Sequence, residues 1–145
     1  MIYAIWTRPK EVAEFVSLGL WGGRRTVNNC KAVGFGTVKD GLIAGILFHN
    51  YDPDTRVIEL TAYSSRRDWL TRERVKEIFT YPFDQIDCRM CVMRTSERNT
   101  RALRIWRALG ASFYPIPELR GEGEAEVIAT LTREAWRNSK FTWRS

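Results

Sequence analysis

Three groups of side chains in this sequence have the chemistry to act on a ligand. Glu59 stands between Ile58 and Leu60 in the run Arg56 to Ser64, and strand alternation turns it away from their apolar face. A carboxylate so placed can take a proton as a general base or pair with a nearby arginine as a structural ion. His49, the single histidine, ends the preceding apolar run, where it suits a structural hydrogen bond or a contact to a bound acceptor. Arg66-Arg67-Asp68-Trp69-Leu70-Thr71-Arg72 leads into a helix whose first amides are unpaired and whose dipole end is positive, a place for an anion. Arginines there add charge-assisted hydrogen bonds, although the same residues also describe a plain basic helix entrance.

A fourth group is weaker. Cys88 and Cys91 have the spacing of metal and redox sites, but on a strand residues three apart point to opposite faces, so the pair reads as packing and no metal is expected. With three cysteines in all, a full set of internal disulfides is impossible.

These residues need elements to hold them. Thr7-Arg8-Pro9 opens a helix with Val12, Phe15 and Val16 on one face, ended by Gly22-Gly23. Lys31 to Val38 and Leu42 to Tyr51 are strands joined through Lys39-Asp40-Gly41, and Arg56 to Ser64 extends them into an antiparallel meander. Arg72 to Tyr81 is a helix on the spacing of Val75, Ile78 and Phe79, which Pro82 should end. Ile86 to Met93 is a buried strand with Ile86, Cys88, Met90 and Val92 on one face. A turn follows at Arg94-Thr95-Ser96, where Thr95 or Ser96 can cap a helix beginning near Glu97. Ala102, Leu103, Trp106 and Leu109 give that helix its apolar stripe, and Gly110 stops it. Pro115 to Gly123 is a loop, and Glu124 to Thr132 is a last strand with Ala125, Val127, Ala129 and Leu131 on one face. The tail residues Trp136, Phe141 and Trp143 suit the covering of core edges. The fold class is therefore α+β: a single domain over residues 1–145, with helices on a mixed, mostly antiparallel sheet.

The pattern Asn99, Ala102, Trp106, Leu109-Gly110-Ala111 resembles the strand-helix segment of the GCN5-related N-acetyltransferases (GNAT), in which Asn-x-x-Ala-x-x-x-Tyr ends in Leu-Gly-Phe; Trp106 stands where tyrosine is usual. The element order matches that fold over most of the chain. His49-Asn50-Tyr51-Asp52-Pro53, Trp69-Leu70-Thr71-Arg72 and Tyr81-Pro82-Phe83 look most like the small members encoded by phages and prophages. The resemblance implies acetyl transfer from acetyl-CoA to a primary amine by direct attack, with no acetyl-cysteine. It implies Glu59 as the base and a backbone amide near Thr61, Ala62 and Tyr63 to polarise the thioester carbonyl. Coenzyme phosphates would meet Arg66, Arg67, Trp69, Leu70, Thr71 and Arg72, and Asn99, Ala102 and Trp106 would line its other side. The family turn is Gln/Arg-x-x-Gly-x-Gly/Ala, so Leu70 and Arg72 occupy positions where small residues let backbone approach phosphate. An indole N–H donates a hydrogen bond without releasing a proton, so Tyr114, Tyr63 or solvent would protonate the leaving thiolate.

Composition leaves two rival readings in play. The formal charge of +6 with 28% charged residues implies anionic partners without choosing among nucleic acid, membrane surface and phosphorylated small molecules. Arg98, Arg101, Arg104 and Arg107 recur every third residue and so drift around the helix; they fit a solvated face or a nucleic-acid surface, the less favoured reading. The other rival is a non-catalytic module using the fold for binding, homodimerisation or phage assembly. The start lacks a secretory layout and no apolar run nears the ~20 residues of a membrane helix, so a cytoplasmic location is the default and no membrane partner is expected.

Overall fold

A computed structural model describes residues 1–142; Trp143 lies outside them. The elements run β1 (Tyr3–Ile5), α1 (Pro9–Trp21), β2 (Lys31–Thr37), β3 (Gly41–Asp52), β4 (Val57–Ser64), α2 (Arg72–Thr80), β5 (Met90–Ser96), α3 (Thr100–Leu109), β6 (Ser112–Ile116), β7 (Glu126–Thr132) and α4 (Arg133–Arg137). Seven strands form a mixed sheet flanked by helices. The chain groups into two compact units, Met1–Tyr51 with Glu59–Ile78, and Asp52–Ile58 with the residues from Phe79 onward. The strands of the first run in the order β1-β2-β3-β4, and those of the second in the order β5-β7-β6.

In the first unit, Pro9 opens α1 and Gly22, at φ 61°, closes it by donating its amide to the Leu18 carbonyl. Val12, Ala13 and Val16 bury against Ala32 and Leu47. The helix lies close because Gly34 and Gly45, register partners on β2 and β3, both face it. A methyl group on Gly45 would lie 2.8 Å from Val12 Cγ1 and 2.9 Å from Val16 Cγ2, and one on Gly34 would lie 2.8 Å from Val12 Cγ2. Val12 thus sits in a notch made by two missing side chains. Burying it and Val16 is worth about 1.5–3 kcal/mol each. On β4, the Tyr63 ring rests on the bare backbone of Gly19, where any added Cβ would lie 2.3 Å from ring carbons, and tilts against Phe15. Elsewhere in this unit Phe35 packs on Trp69, Phe48 stacks with Trp6, and Trp6 Nε1 donates to Glu77 at 3.1 Å.

In the second unit Pro82 does not end the helical path as expected. After α2 the chain continues through a π-helical turn, Tyr81–Gln85, because proline falls in its first positions, where no donor is needed. Ile86 donates to the Tyr81 carbonyl, Cys88 to the Pro82 carbonyl, and Asp87 adopts φ 57°. This consumes Ile86 to Arg89, so β5 starts only at Met90, and the buried set is Cys91, Met93 and Thr95, the opposite face from the one expected. The turn is likewise later. Arg94, Thr95 and Ser96 are still strand; Asn99 is the cap of α3, its side chain accepting from the Ala102 amide at 3.1 Å. Gly110 closes α3 at φ 99°, as expected.

Three elements escaped the sequence pattern: β1, which pairs with β2, the short α4, and β6. Pro115 marked β6 as loop, but proline is tolerated on an edge strand, and β6 pairs with β7 alone in its unit. Trp136 of α4 is 2% exposed against Phe79 and Phe83. Glu126 on β7 is also buried, and its carboxylate accepts from Arg94 Nε at 2.8 Å and Arg120 Nε at 3.0 Å. Of the arginine series, Arg98, ahead of α3, pairs with Glu124 at 3.2 Å, and Arg107 on α3 lies over the Phe113 ring.

Gly45→Ala should destabilise the protein by about 1–3 kcal/mol through overpacking against Val12 and Val16, lowering the melting temperature by several degrees. The double variant Gly45→Ala with Val12→Ala should recover part of the loss if the clash is the cause, which thermal unfolding followed by circular dichroism would read.

Candidate active site

Alternation along β4 places Glu59, Thr61 and Tyr63 on one face, the face Tyr63 turns to α1. On β3, Gly45 faces the same helix, and two steps of two bring His49 to that side. His49 Nε2 lies 2.7 Å from Thr61 Oγ1 and 3.9 Å from Glu59 Oε2. Asn50 Nδ2 donates to Glu59 Oε1 at 3.1 Å. Alternation alone would send Asn50 to the other face; its left-handed backbone, φ 52°, accompanies the swing of its amide to the carboxylate.

The cluster is partly sheltered, with side-chain exposures of 10% for His49 and 22% for Glu59. Among the described residues no lysine or arginine lies within ion-pair distance of Glu59, so the arginine-paired alternative is not realised. Burial pushes the His49 pKa down, and the negative Glu59 pushes it back up by less. His49 is therefore neutral near pH 7, and its 3.9 Å approach to Glu59 is a contact between a dipole and a charge rather than an ion pair. The result is a half-buried carboxylate held by an amide and an imidazole, with its charge uncompensated.

The turn before α2 is fixed differently. Arg66 grips Asp68 in a two-point pair, Nε to Oδ1 at 2.9 Å and Nη2 to Oδ2 at 2.6 Å, and reaches Asp40 at 3.2 Å. That guanidinium holds the Asp68 carboxyl below its ordinary pKa, and Arg66 is spent on carboxylates rather than left for phosphate. Thr71 caps α2, its hydroxyl accepting from the Arg74 amide at 3.3 Å, while Arg74 Nη1 donates to the Trp69 carbonyl at 3.0 Å. Trp69 is 6% exposed and belongs to the core against Phe35; its Nε1 is buried and has no partner among the described residues. Leu70 is half-buried, and Arg67 and Arg72 are exposed.

Of the other expected residues, Thr61, Ala62 and Tyr63 lie half-buried on β4. Asn99 and Ala102 close the first turn of α3 on each other, and Trp106 Nε1 donates to Thr95 Oγ1 at 3.0 Å. Tyr114, on β6, is 56% exposed. The structure thus brings His49, Glu59 and Thr61 together with Asn50, and gathers Asn99, Ala102 and Trp106 on α3. Sequence reading missed Asn50 and the pairing of His49 with Thr61. The available signal was the Asp52-Pro53-Asp54 turn, since folding the chain back about it sets His49 and Asn50 opposite Glu59 to Thr61. Among the described residues no group of three or more His, Cys, Asp or Glu is arranged to hold a metal ion, and no helix is long and apolar enough to cross a membrane.

No protein-family model matches the sequence, and no curated protein matches it. Solved structures do. Mutant forms of the spermidine/spermine N-acetyltransferase SpeG from Vibrio cholerae match with a TM-score of 0.74 at 8% identity, over 95% of this chain and 98% of that one. A dodecameric structure of spermidine N-acetyltransferase from the same organism gives 0.74 at 10% identity, over 94% and 96%. At such identities the likeness establishes architecture. The chain has the GNAT fold, that of the acyl-CoA N-acyltransferases.

The depressed His49 pKa makes stability depend on pH. In the unfolded chain His49 titrates near its ordinary value of about 6.5, so below that pH the unfolded state binds more protons than the folded one, and stability falls with the pH. Above it the contribution is fully present. Melting temperatures should therefore decline between about pH 7 and 5.5 in the parent protein, and His49→Gln should flatten that slope; an unchanged slope would place the titrating group elsewhere.

Proposed function

We propose that this chain is an N-acetyltransferase that moves the acetyl group of acetyl-CoA to a primary amine by direct attack. The observation that carries the reading is Glu59: a half-buried carboxylate whose partners among the described residues are an amide and a neutral imidazole, on β4 of a GNAT fold. An amine arrives as an ammonium ion and must lose a proton before its nitrogen can attack. Glu59 Oε2, which Asn50 does not occupy, takes that proton directly or through one water. The nitrogen then bonds to the thioester carbon while backbone amides of Thr61 to Tyr63 polarise its oxygen. The carbon–sulfur bond breaks, and the thiolate takes a proton from solvent.

Coenzyme phosphates are assigned to the first turn of α2, where unpaired amides and the positive helix end attract anions. Arg67, Thr71 and Arg72 supply side chains there. Arg66 has a positioning role, tying the turn through Asp68 and Asp40, and Trp69 anchors it from the core. On α3, the Trp106 indole N–H is committed to Thr95 and supplies no proton.

A second reading has a specific observation behind it. Leu70 and Arg72 replace the small residues of the family turn, and Arg66 is already neutralised; a non-catalytic binding module would tolerate both. Ligand-linked stability separates the two. Acetyl-CoA at a hundred times its dissociation constant should add about 2.7 kcal/mol, raising the melting temperature by roughly 5–10 °C. No shift with acetyl-CoA or coenzyme A would sink the enzyme reading. Given binding, Glu59→Gln should keep the shift yet lose about 10²–10⁴-fold in turnover against a panel of primary amines, measured by release of coenzyme A thiol.

A further inference from the structure

We propose that Thr61 is a hydrogen-bond donor to the acyl oxygen of the bound thioester, and that His49 and Glu59 together aim its hydroxyl there. This rests on the acyl-transfer reading above. It starts from the one ring nitrogen that faces two groups: His49 Nε2 is 2.7 Å from Thr61 Oγ1 and 3.9 Å from Glu59 Oε2. A neutral imidazole carries its proton on one nitrogen only. Were Nε2 bare, its lone pair would face the Glu59 carboxylate across 3.9 Å of half-buried space, a repulsive arrangement in a region of low dielectric. With the proton on Nε2, the N–H points toward the negative charge and donates to Thr61 Oγ1. Glu59 is the charged group in contact with this nitrogen, and it selects the Nε2–H tautomer.

The consequence passes to Thr61. A hydroxyl that accepts from His49 must direct its own proton elsewhere. Among the described residues it has no other hydrogen-bond partner. The free O–H therefore remains for a ligand on the face of β4 that carries the proposed base. In the reaction, negative charge grows on the thioester oxygen as the amine nitrogen bonds to carbon, and it returns to sulfur as the carbon–sulfur bond breaks. A fixed O–H donor stabilises that oxygen most when the charge is greatest. The amine proton travels separately, to Glu59. Thr61 keeps its own proton throughout, so it is neither acid nor base.

His49 is the only histidine, so its ring can be assigned in nitrogen-15 NMR without ambiguity. The free protein at pH 7.5 should show the proton on Nε2, and Glu59→Gln should weaken that preference. An Nδ1–H tautomer in the parent protein overturns the proposal whatever the activity. In steady-state assays Thr61→Val should lower kcat by about 10²-fold with little change in KM, and Thr61→Ser should restore most of it. His49→Gln, which retains an N–H donor, should fall less than His49→Ala. If Thr61→Val keeps full kcat while remaining folded, the donor role is wrong although the acyltransferase reading stands. If the parent protein turns over no amine and binds no acetyl-CoA, the underlying reading fails and the substrate role of Thr61 goes with it.

Discussion

Two glycines set opposite one another, Gly34 and Gly45, allow α1 to lie against β2 and β3 at a distance that any side chain would prevent. Much else in the first unit follows from that contact. Because Val12 occupies the notch, Val16 and Ala13 reach the sheet and are buried, and Gly19 at the far end of the helix comes down onto the ring of Tyr63. Tyr63 shares a face of β4 with Glu59 and Thr61. The depth at which α1 seats therefore determines how closely Tyr63 on that face is covered.

The electrostatics of the cluster are decided by a competition. Glu59 at 3.9 Å favours an imidazolium, whereas removal from water disfavours it, and burial is the larger of the two effects. Had His49 been charged, it would have formed an ion pair and cancelled the carboxylate. Because it stays neutral, His49 leaves the Glu59 carboxylate held by an amide and an imidazole without an ion pair. The contrast with the α2 entrance is instructive. There Arg66 faces Asp68 and Asp40 in exposed positions, where the pairs organise the turn and add little energy, since solvent screens them.

Patterns of period two and 3.6 made much of the architecture legible in advance: α1 with its proline entrance and glycine exit, the β2-β3-β4 meander, and the stop at Gly110. Glu59 was legible as well, because its flanking isoleucine and leucine define its face. Where reading failed, the missing information was not local. Asn50 has no pattern of its own; its role depends on a left-handed backbone and on what lies across the strand. Tyr3–Ile5 is too short to show alternation, and Pro115 hid an edge strand that needs no donor from it. Trp69 stands in the α2 entrance turn by its sequence, and only the fold shows that its ring packs on Phe35.

The π-helical turn at Tyr81–Gln85 links the least predictable part of the chain to its most unusual residue. By consuming Ile86 to Arg89 it shifts the start of β5 and brings Cys91, Met93 and Thr95, rather than Met90 and Val92, to the buried face of the strand. Thr95, 7% exposed, then presents a hydroxyl in the interior that needs a partner. Trp106 on α3 provides one through Nε1 at 3.0 Å. A phenol at this helix position would reach further and differently, and would leave the indole's task at Thr95 to be met some other way. The tryptophan that looks like a lost proton donor when set beside the family motif is, in this strand register, the group that completes a buried hydrogen bond.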